Sequence, residues 1–337
     1  MIFDDFSSAH LAVLLSVLAI AFVMGIVVNK SNFCTMGAIS DLVNMGDANR
    51  MRAWLLAMAV AMLGVVFIEY SNPSLLDSTA PPYRGGNFAW LEYIIGGTLF
   101  GIGMTLGSGC GNKTLVRIGG GNLKSIVLFA LIALVAYFMI NPFPGTDSTL
   151  YSTLFYSWTT PASINLSTPQ DLGSLSAAAV DGDAATLRSI IGVLLATLII
   201  AFVFKSSDFR RSFDNKLGGI IVGLAVLATW FVTSSFASVN ADGEVLSWIE
   251  YASTDSWDML EDNADVRPRD VAAQSFTFIN PIGQSLRYVL EGFNNIYLNV
   301  GLMAVVGVIL GSFTWALISK SFRIEWFANR QDFFTHA

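Results

Sequence analysis

Residues 9–37 read AHLAVLLSVLAIAFVMGIVVNKSNFCTMG. The first part, 9–28, holds no Asp, Glu, Lys or Arg and is as long as a bilayer crossing, which takes roughly 20 mostly apolar residues. The polar break Asn29-Lys30-Ser31-Asn32 follows, then Cys34. Residues 90–113, WLEYIIGGTLFGIGMTLGSGCGNK, repeat that order: an apolar run, a break, then Cys110. Working outward, apolar runs also appear at 53–70, 123–141, 187–204, 217–236 and 299–319. The two quoted runs, at 9–28 and 90–109, bring these to about seven spans.

Composition agrees. The chain is 54% hydrophobic and only 13% charged, where soluble domains carry about 25% charge. The expected fold is therefore an all-α polytopic membrane protein. The run at 9–28 has an acidic flank, Asp4-Asp5, where a cleaved leader would have a basic one, so it reads as the first span. Short segments between spans are candidates for re-entrant helices. Residues 35–45 (TMGAISDLVNM) predict a short helix starting at Cys34, residues 111–121 are glycine-rich, and 276–298 are aromatic and interrupted by Pro281, Gly283 and Gly292. Irregular backbone at membrane depth requires burial in protein or a polar cavity, and broken helices build many carrier sites.

The chain divides into a first transmembrane half at 1–141 with both cysteines, a polar loop at 142–186, and a second half at 187–337 with an acidic loop at 237–298. The repeat around the two cysteines is compatible with inverted pseudo-symmetric halves without establishing them. The two long loops read as solvated caps on one face. With the N-terminus outside, 13 Lys and Arg residues fall in inner segments and 5 in outer ones. This asymmetry predicts an N-out orientation.

Cys34 and Cys110 are the only cysteines, too few for a disulfide framework. A sulfur at a helix break puts a soft, reactive atom beside a permeation path, so the two are the expected substrate path. Gly107, Gly109 and Gly111 alternate around Cys110; glycine lets backbone approach closely, and a glycine-rich turn opening a helix presents N–H groups to an anion. Asn112 and Lys113 follow directly, with Arg117 beyond. Around Cys34, Asn29, Asn32 and Thr35 offer hydrogen-bond donors and Gly37 opens the next helix. The supporting site residues are thus Asn32, Gly37, Gly107, Gly109, Gly111, Asn112 and Lys113. The competing reading is plain packing: small residues let membrane helices touch, and a buried Cys is commonly a small hydrophobe. Asp41 belongs either to the site or to inner solvent.

Other chemistry finds little support. His10 and His336 lie near the chain ends, which disfavours a His-based metal or acid–base site. The spaced methionines read as packing. No cofactor is expected, since no G-x-x-x-x-G-K-[ST] motif occurs, and no basic stripe with aromatics points to nucleic acid.

The stretches NKSNFCTMGAISD (29–41), GIGMTLGSGCGNKTLVRIGGGNLKS (101–125) and SKSFRIEWFANRQDF (319–333) resemble the YeeE/YedE sulfur-transport family. The resemblance runs from about residue 15 to the end. It implies a multi-pass protein of the bacterial inner membrane that carries thiosulfate or a related small sulfur anion, with cysteines lining a central path. It also implies a cytoplasmic TusA-like sulfur-carrier protein as partner. Family members usually carry a third cysteine in a late Gly-Cys stretch, so the resemblance implies that a cysteine-bearing span is missing: either the sequence is a fragment that continues beyond Ala337, the favoured reading, or the protein lacks that element. The alternative is a membrane thiol–disulfide oxidoreductase or sulfurtransferase. No C-x-x-C pair or nearby His supports it, and its discriminator is whether the two sulfurs approach one another. A third reading is an assembly subunit with inert cysteines.

Overall fold

The computed structural model describes residues 1–72, 84–241, 243–253 and 268–327. All seven apolar runs form helices. They are α1 (Phe6–Ser31), α3 (Asn49–Ser71), α4 (Trp90–Leu106), α6 (Lys124–Ile140), α8 (Ala184–Phe204), α9 (Phe213–Phe231) and α11 (Val300–Ile318). Between them lie the shorter α2 (Thr35–Met45), α5 (Gly111–Gly119), α7 (Leu172–Val180) and α10 (Ile279–Leu290). Among the described residues, 6 helices are long and apolar enough to cross a membrane, with α2 counted as the continuation of α1 and α5 as that of α4; α6, at 17 residues, is a shorter apolar helix. The chain is an all-α polytopic membrane protein with only five short strands in the described residues.

Local chemistry sets the boundaries. Asp5 caps α1 by accepting from the Ser8 N–H at 2.8 Å, which satisfies one of the unpaired donors of a helix start. Asn32 ends it in the left-handed region at φ 51°, where its N–H closes onto the Asn29 and Val28 carbonyls. Asp183 caps α8 through the Thr186 N–H at 2.8 Å. Asn299 caps α11 through the Leu302 N–H at 3.0 Å.

Lipid gives no hydrophobic drive to join helices, so close packing of small residues must do it. The central pair is α1 against α11. Gly25 lies under the Val308 backbone, Gly307 under Ala21 and Leu18, and Gly311 under the Phe22 carbonyl and Ile26. A second seam sets Gly219 and Gly223 of α9 on Ala53, Leu56, Ala57 and Val60 of α3. Gly192 of α8 lies against Val66 of α3. Helix α4 has no buried residue and α8 has two, so both lie at the periphery of the described helices.

The loops are more ordered than solvated caps. Residues 152–162 are helical turns. Helix α7 docks on α8, where Gly173 touches Arg188 and Asp171 accepts from the Arg188 guanidinium at 3.0 and 3.2 Å. The strand Ile2–Phe3 pairs with Ser238–Ala241, which pairs with Glu244–Ser247. The chain's first residues and the start of the 237–298 segment therefore share one end. Asp255, Asp258, Glu261, Asp262, Asp265, Arg267, Arg330 and His336 lie outside the described residues.

The α1–α11 seam makes a direct prediction. A methyl group at Gly311 meets the Phe22 carbonyl, so Gly311→Ala should lower stability by about 1–3 kcal/mol, seen as a lower unfolding temperature in detergent. Gly97→Ala places its methyl where nothing lies within 4 Å, and alanine is the better helix former. It should unfold no earlier than the parent. Equal losses in both variants would contradict the seam.

Candidate substrate site

Both cysteines occupy the residue just before a short helix. Cys34 is extended (φ −158°, ψ 130°) and is the N-cap of α2; its sulfur accepts the Gly37 N–H at 3.5 Å. Cys110 is the N-cap of α5 (φ −81°, ψ 173°). The chain reaches it by a sharp break. Helix α4 stops at Leu106, and Ser108 takes a left-handed conformation at φ 55°, which costs a non-glycine residue roughly 1–2 kcal/mol. Gly109 then lies under the Lys113 stem, where a Cβ would come within 3.0 Å of Lys113 carbons. Only glycine fits there.

Cys34 and Cys110 are separated by most of the first half of the chain, yet their free thiols are brought close to each other. Backbone N–H groups close around them. The Gly37 N–H donates to the Cys34 sulfur, and the N–H groups that open α5 directly follow Cys110 without being capped by it. The Lys113 ammonium interacts electrostatically with both sulfurs. Asn112 carries a buried side-chain oxygen with no partner. Cys34 is 7% exposed; Cys110 is more open.

A third short helix begins at the same place. Gly111 faces Phe278, Ile279 and Ile282, at the start of α10, with a Cβ position 3.0–3.5 Å from their side chains. Helix α10 then runs beside the first turn of α11, where Gly301 touches Pro281 and Gln284. Helix α5 runs the other way and ends beside Ile309, Ser312 and Phe313 of α11. The two helices thus point their N-termini at each other. Neither start has a side-chain cap, so their first N–H groups and the positive ends of their dipoles face the thiols' neighbourhood.

Two cavities adjoin this point. The larger, about 830 Å³, has mostly apolar walls from α4 and α6, with Gly109, Cys110 and Gly111 in its lining. Glu92 is also in its lining, where its carboxylate accepts from the Tyr151 hydroxyl at 2.7 Å and the Thr159 hydroxyl at 3.0 Å. The smaller, about 470 Å³, is lined by Lys113, Arg117, Lys124 and Arg323, with Asn29 and Glu325. Leu106, Gly107 and Leu128 belong to both walls, and the Leu128 methyls lie against Gly107. These three residues partition the two chambers.

The residues expected from sequence divide accordingly. Cys34, Cys110, Gly107, Gly109, Gly111, Asn112 and Lys113 come together. Gly37 stands beside Cys34, and its missing side chain leaves room for the Arg50 guanidinium. Arg50 in turn grips buried Asp41 with both Nε and a terminal nitrogen, the latter at 2.7 Å. Asp41 therefore anchors the α2–α3 hairpin that carries Cys34. Asn32 is exposed and serves as the end of α1. Thr35 accepts from the Trp54 indole at 3.0 Å, and Asn29 donates to Ser312 at 2.8 and 3.0 Å. Sequence reasoning missed the partition residues Leu106 and Leu128, and missed Phe278 and Ile279 as site neighbours. The interrupted aromatic stretch at 276–298 was the available signal for the last two.

The model of the Sulphur transport family matches residues 30–337. The thiosulfate transporter TsuA of Escherichia coli (strain K12) is 31% identical over 145 residues, 42% of this chain. That match spans 39% of the Escherichia coli protein's length. The thiosulfate transporter TsuA of Spirochaeta thermophila is 24% identical over 316 residues, which is 88% of this chain and 89% of that protein.

The thiol contact is testable without any substrate. Mild oxidation with diamide should join Cys34 to Cys110 within one chain, leaving the intact protein lighter by two hydrogens and unreactive to maleimide. Two thiols that stay alkylatable under oxidant, or that pair only between chains, would contradict the contact.

Proposed function

This chain belongs to the Sulphur transport family, and we propose that it takes up thiosulfate, or a closely related small sulfur anion, along a path that passes the paired thiols. One observation carries the reading: two free thiols lie close together where short helices begin, and one of them, Cys110, lines a chamber that is otherwise mostly apolar. Thiosulfate has two unlike ends. Its terminal sulfur is soft and thiol-like, and its sulfonate end is hard. A cysteine S–H is a weak donor suited to the soft end. Backbone N–H groups at helix starts suit the hard end. The site offers both within one cluster.

The proposed mechanism is a relay without covalent turnover; the closeness of the two sulfurs meets the geometric condition for thiol–disulfide chemistry, and it is the transporter names of the relatives that favour the relay over that alternative. Apolar walls offer the dianion nothing to hold it, so the thiol cluster is the first favourable stop. Weak binding there permits release, since conduction requires a site tight enough to enter and loose enough to leave. Lys113, in the first turn of α5 after Cys110, also lines the basic chamber, so the next stop lies directly beyond the thiols. The Lys and Arg distribution supports an N-out orientation in a bacterial inner membrane, with the basic chamber on the cytoplasmic side. A TusA-like sulfur carrier would receive the sulfur there.

In a strain without other thiosulfate uptake, Cys110→Ala should abolish growth on thiosulfate while the protein still inserts and folds. Removing one sulfur deletes little buried area and costs about 1 kcal/mol. Cys110→Ser is the sharper probe: it keeps a donor, loses the soft sulfur, and should also fail. Wild-type uptake by the double variant Cys34→Ala, Cys110→Ala would sink the relay.

A further inference from the structure

We infer that the basic chamber is a second, separate binding site for a divalent tetrahedral oxyanion, selected by charge and not by sulfur chemistry. Its place as the stop after the thiols rests on the transport reading, whereas its binding chemistry does not involve them.

The argument starts from charge. Lys113, Arg117 and Arg323 line this chamber. Among the described residues none of the three closes an ion pair. Glu325 is the carboxylate in the lining, and it already accepts from the Asn122 amide at 2.6 Å. Lys113 and Arg117 stand four apart on α5, so they face the same side of the helix. Each feels the other's charge, and Arg50 adds to the field at Lys113. Like charges at this spacing destabilise a helix. A protein that gathers them around a cavity leaves a repulsion that a bound anion relieves.

The shape supports the same occupant. The chamber's volume, about 470 Å³, admits a small oxyanion with several waters. Ser108 adds a hydroxyl donor to its wall, whereas the Ser125 hydroxyl donates to Asn122 and the Ser321 hydroxyl is bonded to Ser319. No cysteine belongs to that wall, so nothing in it reads a soft sulfur atom. Guanidinium groups match the paired oxygens of tetrahedral anions. The division of labour follows: the thiol cluster distinguishes thiosulfate from sulfate, and the basic chamber holds either. The partition of Leu106, Gly107 and Leu128 keeps the two steps apart.

Sulfate is the probe, because it has the charge and shape but no terminal sulfur. The full chain, purified in an uncharged detergent, is dialysed against radiolabelled sulfate. Saturable binding that weakens with added salt is expected. Arg117→Gln and Arg323→Gln should each weaken it by about tenfold or more, while Arg117→Lys should restore most of it. No saturable binding, or binding unchanged by both Gln variants, overturns the proposal. A lipid phosphate is the other source of such an oxyanion. Equal sulfate binding in phosphatidylcholine and phosphatidylglycerol nanodiscs supports the free anion; loss of binding in phosphatidylglycerol alone assigns the chamber to a headgroup and overturns it. Failure here is distinguishable from failure of the thiol relay. Sulfate binding can persist in a protein whose thiosulfate uptake ignores its cysteines, and uptake can depend on the cysteines where sulfate does not bind.

Discussion

A helix that starts inside a membrane leaves backbone N–H groups with no water to take them. This chain stops or restarts helices at three neighbouring places, before Thr35, before Gly111 and before Ile279. The unpaired donors converge on two sulfurs and the space beside them. Sulfur is a weak acceptor, so the arrangement leaves donor capacity for a stronger one. On the transport reading a small anion supplies it. The site is thus a consequence of satisfying broken backbone, with the cysteines placed where that demand is greatest.

The remaining architecture holds these ends in register. Glycine seams on α1, α9 and α11 bring backbones within contact of each other, so the helices that carry the breaks cannot slide freely. The Ser312 hydroxyl donates to the Val116 carbonyl at 2.7 Å and accepts from Asn29 at 2.8 Å. That one side chain ties α11, α5 and α1 together just beyond the site. On the other flank the Asp41–Arg50 pair fixes α2 on α3. A pair of this kind, with Asp41 buried and Arg50 half-buried, is weak evidence for stability; here its position, about two turns along α2 from Cys34, is what matters. Glu92 keeps a carboxylate in the apolar chamber, held by Tyr151 and Thr159. On the transport reading it offers an anion no attraction, and selection falls to the thiol end.

Much of this was legible in the sequence, for definite reasons. Apolar runs of bilayer length can hardly be anything else, and all seven became helices. The stretch 35–45 follows a cysteine with a helix-length pattern, and α2 spans those residues. Gly107, Gly109 and Gly111 announced a backbone break before the structure showed one. What stayed hidden depends on tertiary placement. The meeting of Cys34 with Cys110 is set by how α1, α5 and α11 pack, and no local pattern encodes it. The opposed direction of α5 and α10 is likewise a property of two segments far apart in the chain. Residues 142–186 looked like a solvated loop because Ser, Thr and Pro dominate their composition, yet Tyr151, Phe155 and Thr159 form a chamber wall. Leu106 and Leu128 were indistinguishable from any other lipid-facing leucine.

The central claim is that the paired thiols recognise the soft end of the substrate while the helix starts hold its oxygens. Selenosulfate replaces the terminal sulfur of thiosulfate with an atom visible by anomalous scattering. In crystals of the protein grown with it, the selenium peak should lie in contact with the Cys110 sulfur and beside Cys34. Its oxygens should point toward the N–H groups that open α5 and α10. A selenium peak remote from both sulfurs, or one whose oxygens and selenium are exchanged in place, would contradict the account.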